Sequence, residues 1–163
     1  MLVIPAKAGI QYKTASAAEP ALSVAERAVS CFLHTWLKYY GKGNLADKRD
    51  DEGRELAVAA AKIAIERNCT DITVLDLRGL SPATDYFVIA TGASDRQRRT
   101  VIDEICVHAK KTGHTRFGQA GYEQGRWILA DFVDVVIHVF DDEYRRYYDL
   151  EMLWGDAKRL TID

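Results

Sequence analysis

Apolar residues recur along the chain at two spacings, and the switches between them mark out the elements. Leu22, Ala25, Val29, Phe32, Leu33, Trp36 and Tyr40 fall at helical spacing after Pro20, a residue suited to a first helical position, until Gly41 and Gly43 interrupt the run. This predicts an amphipathic helix whose apolar face needs a cover: the main domain, a second copy of the chain, or nothing stable. A second helix is predicted from about Asp51 to Arg67, with Leu56, Ala60 and Ile63 in register on an alanine-rich body. Val101, Ile102, Ile105 and Ala109 form the stripe of a third, closed by Gly113.

Between and after these helices the apolar runs shorten and become β-branched or aromatic. Ile72–Leu77, Asp85–Thr91, Trp127–Asp131 and Val135–Phe140 are predicted strands, with Thr115–Phe117 as a shorter one before glycines 118, 121 and 125. An aromatic-rich helix carrying Tyr144 to Trp154 closes the chain. Helices interspersed with strands predict an α/β fold, a single mixed β-sheet of about five strands packed with helices. Residues 1–19 read as a flexible leader, 20–50 as a helix and linker, and 51–163 as the α/β domain. The turn before Val135 leaves two registers open: a two-residue turn sets Trp127 opposite His138, and a three-residue turn sets Trp127 opposite Val139.

Composition narrows the function classes. A net charge of −2 and a pI near 6.1 argue against a chain whose affinity comes from neutralising nucleic-acid phosphates, so a ribosomal or nucleic-acid partner is expected to be met through protein, with no direct sequence-specific nucleic-acid binding. Cys31, Cys69 and Cys106 are too widely spaced for a zinc site or a disulfide framework. No apolar run approaches the roughly 20 residues of a membrane span. The leader fits a secretory signal poorly and a transit peptide weakly.

Four features carry candidate chemistry. Thr91 to Arg96 joins a strand to a helix N-terminus, where a phosphate could sit, but Ser94 and Gln97 also form a capping box that needs no ligand. Asp76, Asp85, Asp131 and Asp134 lie at strand ends; their spacing lacks the Asp-x-Asp pair that projects two carboxylates from one face, so turn and capping roles are favoured over a metal site. His138 stands alone in an apolar strand, as core histidines do. The closing helix carries Tyr144, Tyr148 and Met152 on one stripe and Tyr147, Leu150 and Trp154 on the next, more aromatic arc than one sheet can cover. Arg145 and Arg146 fall off these stripes and read as solvated charges, with Asp149 a local partner for Arg145. No nucleophile–base pair assembles, so neither catalytic residues nor a cofactor or metal are expected.

These residues also carry a resemblance. Asp71-Ile72, Leu75-Asp76-Leu77, the run Thr84 to Gly92, Ser94 and Arg96-Gln97, then Trp127, Leu129, Asp131, the run Asp134 to Phe140, Arg145-Arg146, Tyr148, Leu150-Glu151 and Leu153-Trp154 resemble the ribosomal silencing factor family, RsfS or Iojap. The resemblance implies a non-enzymatic translational repressor of the bacterial cytoplasm, ahead of an organellar one. Such a factor binds the large ribosomal subunit through the universal large-subunit protein fourteen and blocks joining of the small subunit. It also implies a core like that of a nucleotidyltransferase without its catalytic carboxylates. The alternative is a nucleotidyltransferase-like enzyme binding a nucleotide at Gly92 to Arg96, and a homodimer through the 22–40 helix stays open.

By matching position, the expected partner-binding residues are Trp127, Asp131, His138, Tyr148, Leu150 and Trp154, with Thr84, Asp85 and Arg96 beside them. Two positions depart from the family pattern: Val133 stands where a glycine is usual, which would strain a positive-φ turn, and Ala120 replaces an acidic residue.

Overall fold

A computed structural model describes residues 46–162. The leader and the helix predicted over 20–40 lie outside them. The chain order is helix α1 (Ala46–Glu66), strands β1 (Thr70–Asp76) and β2 (Tyr86–Thr91), helix α2 (Asp95–Lys111), strands β3 (Gly118–Ala120), β4 (Trp127–Asp131) and β5 (Val135–Phe140), short helices α3 (Asp142–Tyr148) and α4 (Leu150–Leu153), and a two-residue strand β6 (Lys158–Arg159). The six strands form one sheet in the order β3-β4-β5-β2-β1-β6. Among the described residues only the central β2–β5 pair is parallel, and α2 lies on the crossover between them. Both central strands are buried along their whole length, which is why they read as continuous apolar runs rather than as alternation.

Each strand sends alternate side chains to opposite faces. On one face, Val74, Tyr86, Val88, Ala90, Ile128, Ala130, Val135, Ile137 and Val139 pack under α1 and α2. The α1 stripe is Leu56, Ala57, Ala60, Ala61 and Ala64, all essentially without solvent exposure. Its alanines let the helix lie close to the sheet at little cost in side-chain entropy. α1 starts five residues earlier than expected. It ends where Asn68 turns left-handed (φ +57) and the Cys69 N–H donates to the Ala64 carbonyl, closing the last turn.

The tight turn between β4 and β5 differs from both expected registers. Trp127 pairs with Phe140, Leu129 with His138 and Asp131 with Val136. The loop is therefore Val133-Asp134, with Phe132 N–H bonded to the Val135 carbonyl. Trp127 and His138 still share a face, as diagonal rather than direct neighbours. Val133 takes φ +77, and the Asp134 N–H bonds back to the Phe132 carbonyl at 3.0 Å, a γ-turn that a β-branched residue adopts only under strain. The Asp131 carboxylate accepts the Val133 N–H at 2.7 Å and holds the turn.

Two other expectations are corrected. The short strand is Gly118–Ala120, not Thr115–Phe117, because its place is set by pairing with β4 (Gly118 opposite Asp131) rather than by its own side chains. The closing helix is broken at Asp149, which turns left-handed (φ +36) and whose carboxylate accepts the Met152 N–H to start α4. An aspartate tolerates that conformation better than most residues.

Candidate functional site

The second face of the sheet is floored by Leu75, Phe87, Ile89, Trp127, Leu129, Val136, His138 and Phe140. Its centre is a ring cluster. Phe87 meets His138 edge-on with centroids 4.7 Å apart, Trp127 stacks on Phe140 at 4.8 Å, and Tyr148 lies over Trp127 at 4.7 Å. The Trp127 indole N–H donates to His138 Nδ1 at 3.2 Å, so the neutral imidazole carries its proton on Nε2. Burial holds the His138 pKa down to about 3, with the nearby Arg145 charge as a second cause. The ring is a neutral core member near pH 7.

Over this floor lie α3 and α4. The Asp141 carboxylate caps α3 by accepting the Tyr144 N–H at 2.7 Å, and Arg126 bonds that carboxylate while its guanidinium sits 4.3 Å over the Tyr144 ring. Seven- and four-residue helices are too short to be stable alone, so tertiary contacts must hold them. Arg145 supplies them: it donates to Thr91 Oγ1 at 3.1 Å and to the Asp71 carbonyl at 2.7 Å, and pairs with Glu151. A bulge in β1, where Asp71 takes φ +49, lies at the residue whose carbonyl meets it. Arg145 is thus a largely buried anchor whose partner is Glu151, not the solvated charge paired with Asp149 expected from the sequence.

The broken helix divides the aromatic excess. Tyr144, Tyr148, Leu150 and Trp154 turn inward, and Trp154 meets Phe87 edge-on at 5.9 Å. Tyr147, Met152 and Leu153 turn outward, 80%, 77% and 67% exposed, far more than a closed core would leave. Asp142, Glu143 and Asp156 are exposed in the same segment. The result is an apolar patch in a segment where exposed carboxylates outnumber exposed cations, Arg146 being the exposed cation between 141 and 156.

The expected site residues divide accordingly. Trp127 and His138 form the buried floor, and Tyr148, Leu150 and Trp154 sit half-buried above them. Asp131 and Thr84, both buried, and half-buried Asp85 gather elsewhere, at the sheet end beside the strained turn, where the Asp85 and Tyr86 N–H groups donate to the Asp134 carbonyl at 3.0 Å. Arg96 is exposed at the opposite end, on the first turn of α2. Of the outward residues, Tyr147 and Met152 were visible as stripes but indistinguishable from the inward ones while the helix read as unbroken.

At the Gly92 turn the space beneath the backbone is filled by Arg98, a buried side chain that no motif or periodicity singles out. It donates to the Gly92, Gly125 and Asp95 oxygens, and a Cβ on Gly92 would stand 2.6 Å from its Cγ. Ser94 accepts the Gln97 N–H, while the Gln97 amide oxygen accepts from Ala93 at 2.7 Å, one residue before the cap. The turn is accounted for by the protein's own groups. The Asp76 carboxylate is likewise committed, bonded by Arg78, which holds its pKa below the usual carboxylate range. Among the described residues no group of three His, Cys, Asp or Glu side chains is placed to share a metal ion, and no helix is long and apolar enough to cross a membrane.

Comparison with known proteins bears on this arrangement. A family model described as "ribosomal silencing factor during starvation" matches residues 50–163. The ribosomal silencing factor RsfS of Bacillus subtilis is 40% identical over 104 residues, 64% of this chain and 88% of that one. The chloroplastic protein Iojap of Zea mays is 37% identical over 116 residues, 69% of this chain and 49% of its own length. A crystal structure of a Chromobacterium violaceum protein superposes with a TM-score of 0.59 at 36% identity, covering 64% of this chain and 85% of that chain; one from Bacillus halodurans does so with 0.57 at 34%, covering 68% and 98%.

Proposed function

This chain belongs to the ribosomal silencing factor family, and from that membership we propose that it holds translation down by binding the large ribosomal subunit and blocking its union with the small one. The role that comes with the family is regulation of translation at the ribosome. The finer reading, binding through the universal large-subunit protein fourteen, rests on one observation above all: the outward patch of Tyr147, Met152 and Leu153 in a segment with more exposed carboxylates than cations. Exposed aromatic and methionine side chains anchor protein interfaces, and surrounding carboxylates suit a basic partner such as a ribosomal protein.

A blocking mechanism of this kind needs no bond to be made or broken. Its output is occupancy, and a tenfold change in occupancy at limiting concentration corresponds to about 1.4 kcal/mol, the scale of one interface side chain. The nucleotidyltransferase-like reading finds less support, because the N–H groups that a phosphate would need are in use: Gly92 N–H donates to the Phe140 carbonyl and Ala93 N–H to the Gln97 amide oxygen.

Purified large subunits supply the test. The full chain should co-sediment with them, slow their association with small subunits, and crosslink to the protein fourteen from a photoreactive residue placed at Tyr147. Absence from the large-subunit peak, or unimpaired subunit joining at saturating protein, would refute the proposal.

A further inference from the structure

The side of the molecule at the C-terminal end of α2 carries a second surface, of opposite charge to the first. From Ile105 to Tyr122 the chain holds Lys110, Lys111 and Arg116 and not one aspartate or glutamate, in a protein whose net charge is −2. From Asp141 to Asp156 there are six carboxylates against two arginines. Acidic and basic groups are therefore segregated, and the near-neutral total conceals a local cationic face.

That face is a groove. A depression of about 470 Å³ is lined by Cys106, Val107, Lys110, His114, Thr115 and Arg116. Lys110, Lys111 and Arg116 are exposed, and among the described residues none of them pairs with a carboxylate. Favourable placement at the helix C-terminus accounts for Lys110 and Lys111. It does not account for Arg116, five residues beyond the helix, which is held toward the groove by Gln119 and by Cys106 Sγ at 3.6 Å. Next to it Phe117 is 40% exposed, and β3 is an edge strand of the sheet.

We propose that this groove is a contact for the sugar–phosphate backbone of RNA. Lys110 and Arg116 on the wall of an open groove, with Lys111 exposed beside Lys110 in the chain, match a run of phosphates better than a single anion, which would need donors converging on one point. Lysine and arginine without base-reading partners give affinity without sequence preference. The inference deepens the ribosomal reading and rests on it for the source of the RNA: the acidic, apolar patch would take a ribosomal protein while the basic groove takes ribosomal RNA beside it.

The test titrates the full chain into a short fluorescein-labelled RNA duplex and follows anisotropy across salt concentrations. At low salt the expected binding weakens with added salt with a log–log slope of about −2 to −3, from roughly one unit per neutralised phosphate. K110E/K111E/R116E should lower affinity by about tenfold or more and flatten that slope, and K110Q/K111Q, which leaves the Arg116 contacts alone, should fall between. Failure of the wild-type chain to bind RNA at low salt, or binding unchanged in both variants, would overturn the proposal. Displacement of the RNA by polyglutamate at equal charge concentration would assign the groove to an acidic peptide and overturn it too. Co-sedimentation with large subunits, run in parallel, separates the readings. RNA binding without co-sedimentation sinks the function and spares the groove, whereas co-sedimentation without RNA binding does the reverse.

Discussion

One sheet, two faces, and they are covered in opposite ways. Under α1 and α2 the cover is aliphatic and closed: long helices, an alanine stripe and residues such as Ile102 and Ile105 with no exposure. On the other face the cover is aromatic and open: rings meet edge-on, a histidine is buried among them, and the lid is two short helices broken at Asp149 and fastened by Arg145. The first arrangement buries apolar area with few polar atoms, the Tyr86 hydroxyl among them. The second leaves large apolar side chains in water, a cost that folding alone gives no reason to bear. The difference teaches that stability and recognition are carried by different faces of the same strands.

The sharpest way to break that comparison is to damage the closed face. Ile105→Ala should cost roughly 2 to 5 kcal/mol in urea denaturation, because a cavity opens where α2 meets the sheet. A loss below about 1 kcal/mol would mean that this face is not the principal core.

The open face should announce itself through pH. The unfolded chain protonates His138 near 6.5 and the folded chain only at about 3. Between those values the unfolded state binds more protons, so stability falls as pH falls through that window, by about 2 kcal/mol from pH 7 to pH 5. His138→Phe should start from a lower stability, since the Trp127 N–H loses its acceptor, but it should lose this contribution to the pH dependence. An unaltered pH dependence in that variant would show that the ring is solvated.

A smaller effect sharpens the comparison at the sheet end. Val133→Gly relieves a β-branched residue at φ +77. Strain of roughly 1 to 3 kcal/mol is set against a glycine entropy penalty of about 0.5 to 1, so a net gain of about 1 kcal/mol is expected by thermal or urea denaturation. Destabilisation would mean that the turn relaxes around valine.

Much of the closed face was legible in the sequence and less of the open one, for a physical reason. Val101, Ile102, Ile105 and Ala109 repeat at helical period, and Val135 to Phe140 is a continuous apolar run, so local patterning was enough to identify α2 and β5. The β4–β5 register and the Asp149 break turn on local hydrogen bonds that apolar spacing does not reveal, the Asp131 carboxylate to the Val133 N–H and the Asp149 carboxylate to the Met152 N–H, and the buried roles of Arg98 and Arg145 depend on partners far along the chain. Arg145 reaches back to Asp71 and Thr91, and Arg98 reaches forward to Gly125. No window of a few turns contains those partners. For the same reason the candidate residues named from the sequence mixed the floor of the site, Trp127 and His138, with its surface. The resemblance identified the family, while Tyr147, Met152 and Leu153 emerged as its outward patch only once the helix was seen to break.

The division of labour is tested most directly by Y147A/M152A/L153A. All three side chains are exposed, so stability should change by less than about 0.5 kcal/mol per substitution, while co-sedimentation with purified large subunits should weaken by about tenfold or more. A variant that binds the subunit as tightly as the wild type while remaining folded would contradict the assignment of recognition to this face.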